Sequence, residues 1–151
     1  MLAADRATDL ALLETRGPRV PPAVKLHRGE PVAIGREVAF LGFPYSDCFT
    51  PPLAMATRGI VGNRYRLGDV DRYVIDALCA EGMSGGPLFL AENGVVVGQV
   101  GSRFDPGRTR ARLRGASAEE ADRLPPDRTP ISFATPAAEV RSLLARAGFP
   151  T

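Results

Sequence analysis

The segment A-E-G-M-S-G-G-P-L (80–88) carries the residues best suited to chemistry. Ser84 stands among glycines on what reads as a tight turn. Its hydroxyl is then exposed, and neighbouring backbone N–H groups can point at a substrate. Such a turn can host nucleophilic attack and a preorganised site for a developing oxyanion. The plainer reading is a glycine-rich hairpin turn with an incidental serine. Partners for the hydroxyl are scarce. His27 is the one histidine of the chain. It lies in a Pro-rich stretch, where an exposed linker histidine is expected. Cys48 and Cys79 are the two cysteines. They can form one disulfide or none, which leaves the redox compartment open. Cys79 matches no nucleophile position and is expected to be buried in a strand.

Composition bounds the molecule that must hold this turn. The chain has 151 residues, 44% of them hydrophobic and 24% charged. That suits one globular domain, or part of a slightly larger one, and is too short for two full cores. A net charge of +2 is too weak to argue for nucleic-acid or membrane binding from bulk charge. No apolar run is long enough to span a bilayer. The opening M-L-A-A-D-R does not read as a secretory signal. Apolar residues are spread along the chain, which excludes wholesale disorder. Lys25 is the single lysine among many arginines, a bias we ascribe to GC-rich coding. With 16 Gly and 14 Pro, the chain favours many short elements joined by turns, hence an all-β fold over a helical bundle.

The elements follow from periodicity and punctuation. Residues 2–14 end in an apolar block that suits a strand or a helix equally. Residues 16–31 hold Gly17, Pro18, Pro21, Pro22, Gly29 and Pro31 and read as an extended linker. Strands are expected at 37–44, at 55–65 with a kink at Gly59, at 72–78, at 87–90, at 94–100 and at 129–134. Glu92-Asn93-Gly94 reads as a hairpin turn between the fourth and fifth of these. At 135–149 Thr135 suits an N-cap and Pro136 the first helical turn. Val140, Leu143, Leu144 and Ala147 share one helix face, and Gly148 ends it. Six strands and a C-terminal helix suggest a small antiparallel barrel. The longest irregular stretch is 103–128, with Arg108, Arg110, Arg112 and Arg114 in alternation. Ser117 and Glu120 there have capping-box spacing for a short helix stopped by Pro125-Pro126. A solvated insertion is expected, with a substrate-facing loop as the alternative.

G-M-S-G-G-P-L resembles the nucleophile turn of trypsin-like serine proteases. I-D-A-L-C-A-E-G-M-S-G-G-P-L (75–88) resembles their bacterial HtrA-like (Deg-type) branch, and A-T-D-L-A-L-L (7–13) its catalytic-aspartate segment. F-L-G-F-P (40–44) and T-R-G-I-V (57–61) resemble its first two second-barrel strands. G-V-V-V-G-Q-V (94–100) resembles the substrate-binding strand, and I-S-F-A-T-P (131–136) the usual ending. The pieces keep the family's order and cover the chain apart from the Arg-rich insertion. The resemblance implies an all-β, trypsin-like six-stranded barrel with a C-terminal helix (34–134 and 135–149). Residues 1–15 are then a remnant of a first barrel and 16–33 an inter-barrel linker.

The resemblance also assigns roles. Ser84 is the nucleophile that forms an acyl-enzyme, and the N–H groups of Gly82 and Ser84 form the oxyanion hole. Asp9 orients a histidine; its rival Asp5 lacks the following apolar block, and a surface or capping aspartate is the plainer alternative. Leu78, six residues before the serine, floors the primary specificity pocket and favours small or aliphatic side chains. Gln99, Val100 and Gly101 line its wall and pair with substrate backbone. The insertion starts just after them, so its arginines would favour acidic residues near the groove. The implied partner is a peptide or unfolded protein. No cofactor, metal, nucleic acid or membrane span is implied, and the resemblance favours an extracytoplasmic compartment. The family's histidine precedes its aspartate, whereas His27 follows Asp9. A serine protease read from a fragment, with the histidine encoded upstream, is the expectation. A pseudoprotease that binds peptides without cutting them is the alternative, and a subunit completed by a partner's first barrel is a third. With its partner barrel missing, Leu10, Leu12 and Leu13 should be exposed and the product prone to aggregation.

Overall fold

The computed structural model describes residues 1–17, 22–127 and 129–151. Pro18 and Pro21 of the expected linker, and Arg128 at the end of the expected insertion, lie outside the described residues. The chain begins with an antiparallel hairpin, β1 (Ala3–Asp5) and β2 (Leu10–Leu12). It continues through β3 (Glu37–Gly42), β4 (Met55–Leu67), β5 (Val70–Asp76), β6 (Pro87–Leu90) and β7 (Val96–Arg103). Two short helices follow, α1 (Pro106–Leu113) and α2 (Ala118–Asp122), then β8 (Ile131–Pro136) and α3 (Ala137–Arg146). The strands from β3 onward close into one antiparallel barrel in the order β3-β4-β5-β8-β7-β6, with β6 returning to β3.

The barrel closes because alternate residues of each strand are apolar. Val38 and Phe40 of β3, Ile75 of β5, Leu88 of β6 and Val97 and Val100 of β7 are fully buried. Together with Val61, Tyr73, Met83 and Ala134 they form one core. β4 bends by a register shift between Val61 and Asn63, at Gly62 and not at Gly59. Gly59 serves a different need: a Cβ there would lie 2.6 Å from the Ala77 Cβ, so it lets the chain after β5 press against β4.

The hairpin is docked on the barrel, not adrift. Leu10 is buried, Leu12 half-buried, and only Leu13 of the three leucines is exposed. Arg72 of β5 donates to the carbonyls of Thr8 and Ala7, each at 2.9 Å, and to the Thr135 hydroxyl. Arg146 of α3 reaches Asp5 at 2.5 Å. The expected exposure of Leu10 fails because α3 packs against β2 from the C-terminal side. Thr135 does not cap α3. It sits in β8 with its hydroxyl on the Thr8 carbonyl at 3.0 Å, and Pro136 is the cap residue, with no side-chain cap bond. The stretch expected to be irregular is largely helical. Asp105 caps α1 by accepting from the Arg108 amide, with Pro106 in the first turn, and the capping box of Ser117 and Glu120 opens α2.

Candidate functional site

The site is a junction of three segments at one end of the barrel: the turn 79–86, the end of β3 with its following residues 43–45, and the end of β7. The turn needs its glycines. Gly82 and Gly85 have φ of +89° and +87°, a region closed to most side chains. Close approach is the second reason. A Cβ on Gly82 would lie 2.4 Å from the Phe43 carbonyl oxygen, and one on Gly86 would lie 2.0 Å from that of Leu41. Gly42 answers from the other side, where a Cβ would meet the Met83 Cα at 2.6 Å. Backbone therefore packs on backbone, with the Met83 side chain driven into the core as the anchor.

This packing orients the peptide groups around Ser84. The Tyr45 amide donates to the Glu81 carbonyl at 3.1 Å, and the Phe43 amide to that of Gly82 at 3.2 Å. The Gly86 amide closes on the Met83 carbonyl at 3.1 Å. In a planar trans peptide the N–H points opposite to the C=O. Holding the Glu81 and Met83 carbonyls therefore aims the N–H groups of Gly82 and Ser84 away from the protein. Among the described residues neither amide has an acceptor. Tyr45 takes up a left-handed conformation, φ +50°, to reach Glu81.

Ser84 is exposed. Among the described residues, the side chain within hydrogen-bonding range of its hydroxyl is Cys79, with Sγ 4.0 Å from Oγ. Cys79 is buried in the segment after β5, not in a strand, and desolvation pushes its thiol pKa up. Its amide donates to Ser132 Oγ at 2.8 Å, and that hydroxyl donates to the Ala77 carbonyl at 2.6 Å. Cys48 is exposed, and both cysteines are free thiols. Leu78 is 44% exposed between these anchors.

β7 approaches the turn through Val100. Its carbonyl accepts from the Gly85 amide at 2.7 Å and its amide donates to the Gly86 carbonyl at 2.9 Å. Val100 is fully buried, so it holds the turn and has no backbone group left for a ligand. Gln99 pairs with Thr135 of β8, and its side-chain nitrogen lies beside Gly85. Of the three residues expected along the wall, Gly101 is the one at an irregular, less enclosed place. The β7–β8 register slips between Val100 and Arg103.

Asp9 lies at the tip of the first hairpin with φ of +56°, a left-handed conformation that aspartate tolerates. It borders a cleft of about 130 Å³ with Gly101, Ser102, Phe133 and Thr135. Asp9 thus borders β7 at Gly101 and Ser102, next to the Val100 that holds the Ser84 turn. Asp5 is committed elsewhere. Its carboxylate accepts from the Ala7 and Thr8 amides and pairs with Arg146. The Thr8 amide, foremost among these, holds its pKa below the ordinary value. His27 is not brought to Ser84. Its Nε2 lies 2.8 Å from the Glu30 carbonyl oxygen, its amide is on Val96, and its carbonyl takes Arg141. Half-buried against β7 and α3, it is a pinned residue, not a free linker histidine.

The model of the trypsin-like peptidase domain family matches residues 1–98. Among solved structures, the Rv3671c protease of M. tuberculosis H37Rv in its inactive form superposes with a TM-score of 0.57 at 27% identity, covering 87% of this chain and 57% of that one. A serine-to-alanine mutant of the same protein, also inactive, gives 0.57 and 27%, covering 87% and 56%. The serine endoprotease from Yersinia pestis reaches a TM-score of 0.66 at 23% identity over 97% of this chain and 42% of its own, a likeness of fold alone. The chain therefore spans about half the length of these structural relatives. No curated protein matches the sequence.

Proposed function

Since this chain belongs to the trypsin-like peptidase family, we propose that it carries the nucleophile half of an HtrA-like serine endopeptidase site. Ser84 attacks the scissile carbonyl of a peptide or unfolded protein. The carbonyl oxygen, negative in the tetrahedral intermediate, lies against the N–H groups of Gly82 and Ser84. Collapse expels the amine and leaves an acyl-enzyme on Ser84, which water hydrolyses. The N–H groups bind charge that exists only in the intermediate, and such differential binding lowers the barrier. One observation carries the reading: an exposed serine hydroxyl flanked by two amides whose own carbonyls are held by Tyr45 and Gly86.

Asp9 is the proposed orienting carboxylate and Leu78 the proposed pocket floor. In the proposed division, residues 1–15 belong with a first barrel and 34–134 form the second. The general base is a histidine from another segment or another chain, because His27 is held at β7 and α3. A site lacking one triad member retains only about 10³–10⁴-fold acceleration over water. A reactive phosphonate distinguishes this from the second reading, a peptide-binding module without catalysis. The expected result is covalent labelling of Ser84, absent in Ser84→Ala and strengthened when a histidine-bearing first barrel is supplied. Peptide binding without labelling under both conditions supports the module.

A further inference from the structure

The end of β7 carries a charge, Arg103, that no described residue meets in an ion pair. Arg103 is paired in register with Ser132 of β8. Directly paired residues of neighbouring strands project to the same face of a sheet. Ser132 is fully buried and points inward, with its hydroxyl between the Ala77 carbonyl and the Cys79 amide. Its partner on the other side, Ile75, is also fully buried. The next residue, Phe104, lies on the outer face, edge-on to Phe133. Arg103 therefore projects from the inner face at the rim of the barrel, toward the Ala77–Cys79 segment that carries Leu78 and stands beside Ser84. Its positive charge is felt at the Cys79 thiol.

Arg103 is half-buried, and among the described residues it makes neither an ion pair nor a side-chain hydrogen bond. Every Asp and Glu of the chain lies among those residues. The Arg103 guanidinium nitrogens are not among the buried unpaired atoms, so they stay open to solvent or to a ligand. Arg72 and Arg146, by contrast, are bonded to the Thr8 and Ala7 carbonyls and to Asp5. A cation thus stands at the barrel rim beside the Ala77–Cys79 segment, with no ion-pair or side-chain hydrogen-bond partner among the described residues.

We propose that Arg103 is the specificity-determining residue of the site and receives the carboxylate of a substrate Glu or Asp at the residue whose carbonyl Ser84 attacks. This rests on the serine-endopeptidase reading for the identity of that carbonyl. The substrate's methylene stem lies along Leu78, and its carboxylate takes charge-assisted bonds from the guanidinium. An apolar floor with a cation at its rim selects an acid over an aliphatic side chain, which changes the preference that Leu78 alone implies.

The test is binding of two amidated peptides, acetyl-Ala-Ala-Glu-NH2 and its Gln analogue, to the whole chain, followed by NMR titration. The expected result is about tenfold tighter binding of the Glu peptide at low salt. That preference should vanish in Arg103→Gln and turn toward a Lys peptide in Arg103→Glu, with thermal melts showing that both variants fold. Equal binding of the Glu and Gln peptides, no binding of either, or a Glu preference that survives Arg103→Gln overturns the assignment. Phosphonate labelling of Ser84 is read separately. Labelling without a Glu preference sinks the Arg103 assignment and leaves the protease reading intact. An Arg103-dependent Glu preference with no labelling even when a histidine-bearing first barrel is supplied sinks the protease reading and leaves Arg103 as the Glu-binding residue of a peptide-binding module.

Discussion

Ser84 owes its setting to residues that never touch a substrate. Tyr45 and Phe43 fix two carbonyls of the turn, and Gly42, Gly82 and Gly86 let the two backbones meet. Gly82→Ala is the sharpest probe of this arrangement. A methyl would stand 2.4 Å from the Phe43 carbonyl oxygen at a φ of +89°. The substitution is expected to lower stability by about 1–3 kcal/mol, and to abolish phosphonate labelling even where the protein stays folded. Labelling at the wild-type rate in a folded Gly82→Ala protein would show that the Gly82 amide is not needed. The role of the glycines was legible in the sequence, because G-x-S-G-G is an unusual density of permissive residues around a hydroxyl. Tyr45 was not. Nothing in P-Y-S announces a left-handed residue whose amide reaches across to Glu81. Nor did the sequence show that Val100 would spend both backbone groups on the turn. That follows from the β6–β7 register.

At the scale of elements, the barrel strands were readable from alternation and the ends of most of them from Gly and Pro. Phe40 lies at the centre of that pattern and is fully buried. Phe40→Ala should destabilise the fold by about 3–5 kcal/mol in denaturant unfolding. The first hairpin was ambiguous in the sequence because three-residue strands leave too short a periodic signal. Tertiary bonds decide it, chiefly those from Arg72. Arg72→Ala removes donors to the Ala7 and Thr8 carbonyls and to Thr135. It is expected to loosen β1–β2, costing about 1–3 kcal/mol locally, and to speed hydrogen exchange at Leu10 and Leu12 while the Val38 and Val97 amides keep their protection. Uniform acceleration across the barrel would show that the hairpin is not a separate unit. The α1 helix was missed, although Asp105-Pro106 is a start signal. The run of arginines after it has no apolar face, and α1 buries none of its residues.

Across the whole molecule, acid should act first at the periphery. Asp5, Asp105 and Glu120 all have pKa values below the ordinary carboxylate range, led respectively by the amides of Thr8, Arg108 and Ser117. A group whose pKa is lower folded than unfolded adds stability at neutral pH and loses it as pH falls through the folded value. All three are solvent-accessible anchors of the hairpin or of the α1–α2 segment. Those parts should become protease-sensitive below about pH 4, before the barrel loses its near-ultraviolet dichroism. Simultaneous loss would contradict this order. The segment from β3 to β4 also exposes Leu41, Phe43, Tyr45, Phe49, Leu53 and Met55 beside the site. Among the described residues no helix is long and apolar enough to cross a membrane.

By itself the sequence determined the barrel, its C-terminal helix and the serine turn, since each depends on short-range chemistry: alternation along a strand, a helical face, glycines around a hydroxyl. The tertiary structure alone decided which polar groups remain available. Whether an amide, an aspartate or an arginine is spent on the fold or left for a ligand depends on partners as far as 141 residues away, as with Asp5 on Arg146, or Asp9 beside Gly101. Hydrogen-bond competition of that kind is settled by register and packing, and local residue patterns do not encode it.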